Sequence, residues 1–245
     1  MVSSVGLGVG LGVGIGGLLA LWHGLTYYEV DVKCEKPKYS VKKLIGRKKN
    51  WYGSIVPVAE IRQYAPFLMA EVELKDCENM RQALSSGFRQ IAGFIFGKNV
   101  AVSGAGSNEK VAMTSPVTLE TSATSEAIAM TSPVTAEEVD GSTYKVSFIM
   151  PSKYTKETLP KPLNDDVKIK EVSGHCMAAL AFRGSSPSEE QMHKKADELR
   201  AVLQGSGYAA KGNVHLYQYH PPFAPAWMRR NEVLLEVSEE KAPAS

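Results

Sequence analysis

The chain has 245 residues, 44% hydrophobic and 22% charged, which is enough to bury one substantial core or two small ones. The composition is unlike that of collagen or of a globally disordered chain, and a net charge of +2 lacks the basic excess typical of nucleic-acid-binding domains. Nucleic acid is therefore not an expected partner. Cys34, Cys77 and Cys176 lie far apart with no CxxC pair, so the sequence predicts reduced thiols and neither a disulfide framework nor a zinc site.

The first 28 residues form an apolar segment. They contain no Asp, Glu, Lys or Arg, and residues 5–22 are Gly, Val, Leu, Ile and Ala with one Trp. A helix rises 1.5 Å per residue, so a segment of this length is about sufficient to cross a bilayer core. We predict a single-pass transmembrane anchor over residues 1–28. A cleaved signal peptide is the main alternative, although the segment lacks the basic region that usually begins one.

A basic segment follows the apolar one. Between residues 29 and 49 there are eight Lys or Arg side chains and three acidic ones. By the positive-inside rule the body of the protein then faces the cytosol, with a plastid location or secretion after signal cleavage as alternatives. The same lysines either contact anionic lipid or belong to a solvated linker. We assign residues 29–49 to a basic linker and first strand, 50–238 to a globular domain, and 239–245 to a tail.

The first half of the body is predicted to be strands around one helix. Alternating apolar residues over 58–64 and 68–74 predict two strands, which we expect to pair as a hairpin across Ala65-Pro66. A helix then follows and ends near Gly97. Its apolar stripe consists of Met80, Leu84, Phe88, Ile91 and Ile95.

An internal repeat comes next. The segment AMTSPVT occurs at 112–118 and again, unchanged, at 129–135. This period is shorter than that of solenoid repeats, so we interpret it as a duplicated strand and loop. The prolines exclude both copies from central positions of a sheet, and we expect only one copy to form an integral strand.

The second half repeats the arrangement of the first. A strand predicted over 144–150 completes the first half. In the second half, strands are predicted over 167–172 and 177–182, and again over 214–219 and 232–237. Between these groups, Ser186-Pro-Ser-Glu-Glu has the cap, proline and acidic residues of a helix start. The apolar residues of that helix are Met192, Ala196, Leu199 and Leu203. The sequence thus predicts an α+β domain with approximate internal two-fold character.

Motifs for catalysis are missing from the sequence. It has no GxSxG, no HxH or HExxH, and no phosphate-binding loop between a strand and a helix. His215 and His220 flank a predicted strand end and His175 precedes Cys176, but none has the spacing of metal ligands. We therefore expect a binding protein and not an enzyme.

Five segments in order resemble the SOUL haem-binding protein family, especially its plant-type members. They are FIFGKN at 94–99, the two AMTSPV copies, FIMPSKY at 148–154 leading into LPKP at 159–162, YHPP at 219–222, and RNEV at 230–233. The resemblance covers about residues 36–238. It implies a distorted antiparallel β-barrel with two flanking helices that binds haem or another tetrapyrrole without covalent attachment.

The resemblance also implies a site along the first helix. Leu84, Phe88 and Ala92 would face the porphyrin, and Arg81 and Arg89 would meet its propionates. Some relatives carry a basic residue where this chain has Ser or Gly on the same helix. The helix has no histidine, so we name no axial ligand. The implied role is that of a carrier or buffer at a membrane. The alternatives are a module that binds a peptide helix in the same groove, and a tetrapyrrole-modifying enzyme.

Overall fold

The computed structural model describes residues 34–100, 133–140, 142–220 and 224–240, together with Gly24. The predicted anchor, except for Gly24, and the first copy of the repeat lie outside these residues. Within the described residues, no helix is both long enough and apolar enough to cross a membrane.

Antiparallel strands are the main secondary structure of the described chain, with two helices inserted between them. The helices are α1 (Met80–Ile95) and α2 (Glu189–Leu203). The strands of the main sheet are β1 (Tyr39–Ile45), β4 (Ala59–Tyr64), β5 (Phe67–Leu74), β7 (Val134–Asp140), β8 (Thr143–Ile149), β10 (Lys168–Val172), β11 (His175–Arg183), β12 (Tyr208–Gln218) and β13 (Arg230–Glu239). Two short pairs are formed by β2 (Lys48–Lys49) with β3 (Ile55–Val56), and by β6 (Asn99–Val100) with β9 (Lys161–Pro162).

The order of the main sheet confirms the α+β class and shows how the two halves combine. Nine strands pair in the order β1-β4-β11-β13-β12-β7-β8-β5-β10, and the sheet is open between β1 and β10. α1 packs on β8 and β5 of its own half, and α2 packs on β12, β13 and β11. Apart from β1, the first strand of each half pairs with a strand of the other half, because β4 pairs with β11 and β10 pairs with β5. The two halves related by the approximate internal two-fold symmetry therefore exchange their first strands.

The predicted hairpin between β4 and β5 is wrong. β4 pairs with β1 and β11, whereas β5 pairs with β8 and β10. Pro66 has no N–H, and the Ala65 N–H donates to the carbonyl of Lys38 at 2.9 Å. Neither residue of the turn can therefore donate the backbone hydrogen bond that would close a hairpin. Each strand pairs in a different part of the sheet.

α1 packs closely on the sheet because its buried face contains small residues. Asn79 caps the helix by accepting from the Gln82 N–H, and Gly97 follows the helix with a φ of 110°. Gly87 lies directly over β8, where an added Cβ would come within 2.5 Å of the Val146 Cβ. The buried residues of the helix are Met80, Ala83, Gly87, Ile91, Phe94 and Ile95.

α2 lies where it was predicted, but Pro187 precedes the N-cap and does not belong to the first helical turn. Ser188 is the N-cap, and with Gln191 it forms a reciprocal capping box. The four apolar residues predicted for its buried face are all buried. Glu189 at the start of α2 also accepts from the Met80 N–H at 2.8 Å, which joins the beginnings of the two helices.

The second copy of the repeat leads into the sheet. Its last two residues, Val134 and Thr135, begin β7, and Pro133 lies just before the strand. The Thr135 hydroxyl donates to the carbonyl of Ser147 on the neighbouring strand at 3.3 Å. This copy therefore contributes to an integral strand, and the role of the first copy stays a prediction.

Candidate functional site

The residues predicted to face a porphyrin lie along the outer side of α1. Phe88 is 38% exposed, and Leu84 and Ala92 are half-buried. Within the predicted apolar stripe, Met80, Ile91 and Ile95 are buried in the core, whereas Phe88 lies at the surface. Ala83 and Gly87 form the face against the sheet, and the larger side chains are displaced to the flank of the helix.

Phe88 rests on the domain with one side and is open on the other. Its ring centroid lies 5.6 Å from that of Phe148, a fully buried residue of β8. Leu84 packs against the main core. Leu84, Phe88 and Ala92 follow one another at intervals of four residues, so they form a continuous apolar strip about 12 Å long. We call these three residues the α1 strip.

Two cationic side chains flank the α1 strip. Arg81 and Arg89 are exposed, and neither forms an ion pair with any described residue. The Arg89 Nε donates to the carbonyl of Ser85, one turn earlier, at 3.3 Å. Each arginine precedes a strip residue by three positions, which places it beside the strip. The guanidinium groups are thus available to carboxylates at the edge of a bound molecule.

The α1 strip and its two arginines suit the macrocycle and propionates of a haem but not its iron. Its apolar surface suits a flat macrocycle, and the two arginines suit propionates. Iron ligation is a different matter, because α1 contains no His, Cys or Tyr and its Met80 is buried in the core. The helix therefore offers residues for the macrocycle and its carboxylates, and no axial ligand.

A second cluster lies on the opposite side of the sheet, on the face of β4, β11, β12 and β13 turned away from α2. We call it the inner face. At its centre, Arg62 and Glu232 are 1% and 0% exposed and form a bidentate ion pair, with N–O distances of 2.8 and 3.0 Å. Tyr219 donates its hydroxyl to Glu232 at 2.6 Å, and Arg230 donates its Nε at 3.1 Å. The charge of the buried carboxylate is fully compensated.

The surroundings of this ion pair shift several pKa values. Burial by itself raises the pKa of the Glu232 carboxyl, but hydrogen bonds and the charges of Arg62 and Arg230 outweigh it, so the pKa lies below its ordinary value. Burial raises the pKa of Tyr64 to about 12, and it raises that of Tyr219 well above its ordinary value. Tyr64 and Tyr219 therefore stay protonated near neutral pH and do not act as bases there.

Sequence reasoning missed this cluster in part. Arg230, Asn231 and Glu232 belong to the RNEV segment of the family resemblance, and Asn231 ties the last strand to a neighbouring loop by donating to the carbonyl of Gly184 at 3.1 Å. Glu232 instead pairs with Arg62, 170 residues earlier in the chain. The available signal was an Arg and a Glu within two predicted strands, each next to one apolar residue, because such residues are buried only when paired.

His175, His215 and His220 each lie against a protein group. His175 stacks on Tyr64 at 5.5 Å, and His220 accepts from the Arg230 N–H at 3.2 Å. Burial lowers the pKa of His215, which lies 4.0 Å from Glu137. Among the described residues there is no group of three or more His, Cys, Asp or Glu side chains that could hold a metal ion, and Cys77 and Cys176 are free thiols.

A cavity of about 280 Å³ opens where the segment before β1 meets the end of β8. Its lining combines apolar residues such as Phe67 and Met150 with charged ones such as Lys36 and Glu171. This volume is slightly below the range of about 300–1,000 Å³ typical of small-molecule sites. The cavity is too small to enclose a whole tetrapyrrole, so the α1 strip is the better candidate site.

Solved structures with a similar fold differ widely in sequence. The crystal structure of the EcmrR C-terminal domain has a TM-score of 0.50 at 8% identity, covering 74% of this chain and 97% of that one. This likeness concerns the fold alone. A structure from Listeria innocua described as a hydrolase has a TM-score of 0.46 at 13% identity, covering 86% and 98% of the two chains. The comparison with curated proteins finds no match.

The match to a protein family is more specific than the structural likenesses. The model of the SOUL heme-binding protein family matches residues 34–236, which include α1, α2 and the whole main sheet except the last three residues of β13. The matched region includes the α1 strip and the paired Arg62 and Glu232. With most of its length matched and the expected antiparallel α+β fold present, the chain belongs to the SOUL heme-binding protein family.

Proposed function

We propose that the protein binds haem or another tetrapyrrole reversibly on the α1 strip and acts as a carrier or buffer, not as an enzyme. The observation that carries this proposal is the exposed Phe88 ring, continuous with Leu84 and Ala92 and flanked by two arginines that form no ion pair with a described residue. Family membership supports the ligand class. The two AMTSPVT copies support a relation to plant-type members.

Each group of the site has a distinct role in this proposal. The α1 strip covers one face of the macrocycle and removes apolar area from water, which stabilises the complex without a covalent bond. Arg81 and Arg89 pair with carboxylates and set the orientation of the ligand. Haem, when bound, supplies its own redox-active iron, and α1 adds no ligand to it.

The proposal includes retention at a membrane through residues 1–28. Apolar burial is insensitive to salt, whereas attachment by lysines alone is screened at high ionic strength. The full-length chain is therefore expected to stay with membranes after high-salt and alkaline washes. Release into the soluble fraction at high salt would exclude a spanning segment.

Ligand titration tests the site. The full chain is titrated with haem and with protoporphyrin IX, following absorbance, for the parent and for Phe88→Asp. A carboxylate placed against the macrocycle costs on the order of 3 kcal/mol, so the dissociation constant should rise about a hundredfold. Arg89→Ala removes an exposed rim contact and should cost only about fivefold.

A matched control separates loss of the site from a general effect of the charge. Val41 lies on β1 and is 46% exposed, similar to Phe88, so Val41→Asp introduces the same group outside α1. Both variants must keep the parent's thermal transition. Equal binding by folded Phe88→Asp and the parent would contradict the proposed site.

The same titration distinguishes the alternative functions. Displacement of the tetrapyrrole by an amphipathic peptide would favour a peptide-binding module, and turnover of the tetrapyrrole would favour an enzyme.

A further inference from the structure

The β2–β3 hairpin presents aromatic rings to solvent outside the site on α1. At its turn, Trp51 is 93% and Tyr52 is 65% exposed, and the two rings contact each other edge to face at 4.8 Å. Ile55 on β3 and Leu44 at the end of β1 are also exposed. Four large apolar side chains thus lie close together in sequence without cover from the rest of the described chain.

The hairpin holds these rings in a defined conformation. The Asn50 side chain accepts from the Ser54 N–H at 2.8 Å, and the Gly53 N–H donates to the Asn50 carbonyl at 3.0 Å. Gly46, with a φ of 66°, lies at the base of the hairpin, where an added Cβ would come within 2.7 Å of Val202 on α2. The turn is therefore built by its own hydrogen bonds, and its base is fitted closely against the domain.

The sequence on either side of the rings carries charge of one sign. From residue 36 to residue 59 there are seven Lys or Arg side chains and no Asp or Glu, while the rest of the chain has 21 basic and 26 acidic side chains. Arg47, Lys48 and Lys49 on the hairpin are exposed and have no ion-pair partner among the described residues. A quarter of the basic side chains thus lie in a tenth of the sequence.

We propose that the β2–β3 hairpin docks on the surface of an anionic lipid bilayer, with Trp51 and Tyr52 at the level of the headgroups and Arg47, Lys48 and Lys49 against the lipid phosphates. Trp and Tyr are the residues enriched at membrane–water interfaces, and basic side chains beside them are attracted to anionic lipid. The apolar residues 5–22 precede this surface in the same chain. The surface is independent of tetrapyrrole binding.

Single-stranded nucleic acid is the other polyanion that aromatic and basic side chains can bind. The hairpin favours lipid because its rings meet edge to face and do not form a parallel stacking platform. Ile55 and Leu44 add aliphatic surface, which inserts among lipids and contributes nothing to base stacking.

The test uses the full chain with one tryptophan. Of Trp22, Trp51 and Trp227, the last is also exposed, at 65%. The W22F/W227F variant reports from Trp51 alone, and W22F/W51F is a matched control that reports from Trp227. Vesicles of phosphatidylcholine with phosphatidylserine should shift Trp51 emission to the blue, and brominated lipid should quench it. Neither effect is expected with phosphatidylcholine alone or for Trp227.

Charge variants complete the experiment. Each basic side chain near an anionic surface contributes about fivefold in affinity, so Lys48→Gln with Lys49→Gln should weaken the Trp51 response roughly 25-fold. Lys161→Gln with Lys194→Gln removes two exposed charges elsewhere and should change it little. High salt should abolish the shift. A chain that sediments with anionic vesicles while Trp51 emission stays unchanged would overturn the proposal and leave the anchor standing. A response to single-stranded DNA but not to vesicles would overturn it as well.

Discussion

Replacing Arg62 by methionine tests the role of the inner face in stability. The substitution keeps much of the side-chain volume and removes the guanidinium, which makes two hydrogen bonds to Glu232 and one each to Glu60 and Tyr64. Removing one member of a buried ion pair typically costs about 3–5 kcal/mol, because the remaining charge stays buried. Glu232 keeps its bonds to Tyr219 and Arg230, so we expect the lower end, about 3 kcal/mol.

The pH dependence of this loss has a definite sign. In the parent, the pKa of Glu232 is lowered, so its contribution to stability is present above the ordinary value of 4.5 and is lost as the pH falls through the lowered value. In Arg62→Met the pKa of the buried Glu232 rises, because its main lowering partner is gone. The folded variant then takes up a proton more readily, and its deficit should shrink between pH 7 and pH 5.

Urea unfolding at the two pH values measures these effects. At neutral pH a loss of about 3 kcal/mol corresponds to a fall in Tm of roughly 6–12 °C for a chain of this size. Arg200→Met is the matched control, because Arg200 pairs with Asp197 at 2.9 Å on the exposed side of α2 and should cost less than about 1 kcal/mol. A deficit below about 1 kcal/mol for Arg62→Met, or one that grows on acidification, would refute the reasoning.

Three further predictions concern the helices and the repeat. Gly87→Ala should destabilise the fold by about 1–3 kcal/mol in urea unfolding, because the new methyl would overlap Val146, and an unchanged midpoint would contradict the packing of α1. Ser188→Ala should cost about 0.5–2 kcal/mol by removing the capping box, whereas no change would show that the cap is dispensable. Deleting residues 119–135 joins the first AMTSPVT copy to β7, so circular dichroism and the cooperative thermal transition should be retained; loss of that transition would show that both copies are structural.

Local patterns predicted local structure well and strand pairing poorly. The start of α2 within residues 186–190 and the glycine that ends α1 are encoded within a few residues, and both were found where the sequence placed them. The predicted β4–β5 hairpin was wrong because strand pairing depends on all the strands available in the chain. β4 pairs with β11, which lies more than 100 residues later.

The candidate site was predictable to a similar degree. The residues of the α1 strip could be placed on one helix from their spacing, but not their exposure, because close packing at Gly87 decides which flank is covered. The pairing of Arg62 with Glu232 needs the assembled sheet. The exposed aromatic turn of the β2–β3 hairpin likewise has no periodic pattern that would have revealed it.

The position of the bound tetrapyrrole is tested most directly by amide NMR signals of the full chain in detergent, recorded with and without ferric haem. The paramagnetic iron broadens signals near it, so the spectrum locates the ligand without any substitution. The proposed site predicts that the signals of Leu84, Phe88 and Ala92 broaden first, while those of the inner face keep their widths. Broadening centred on His175 or Glu232, with α1 unaffected, would contradict tetrapyrrole binding on the α1 strip.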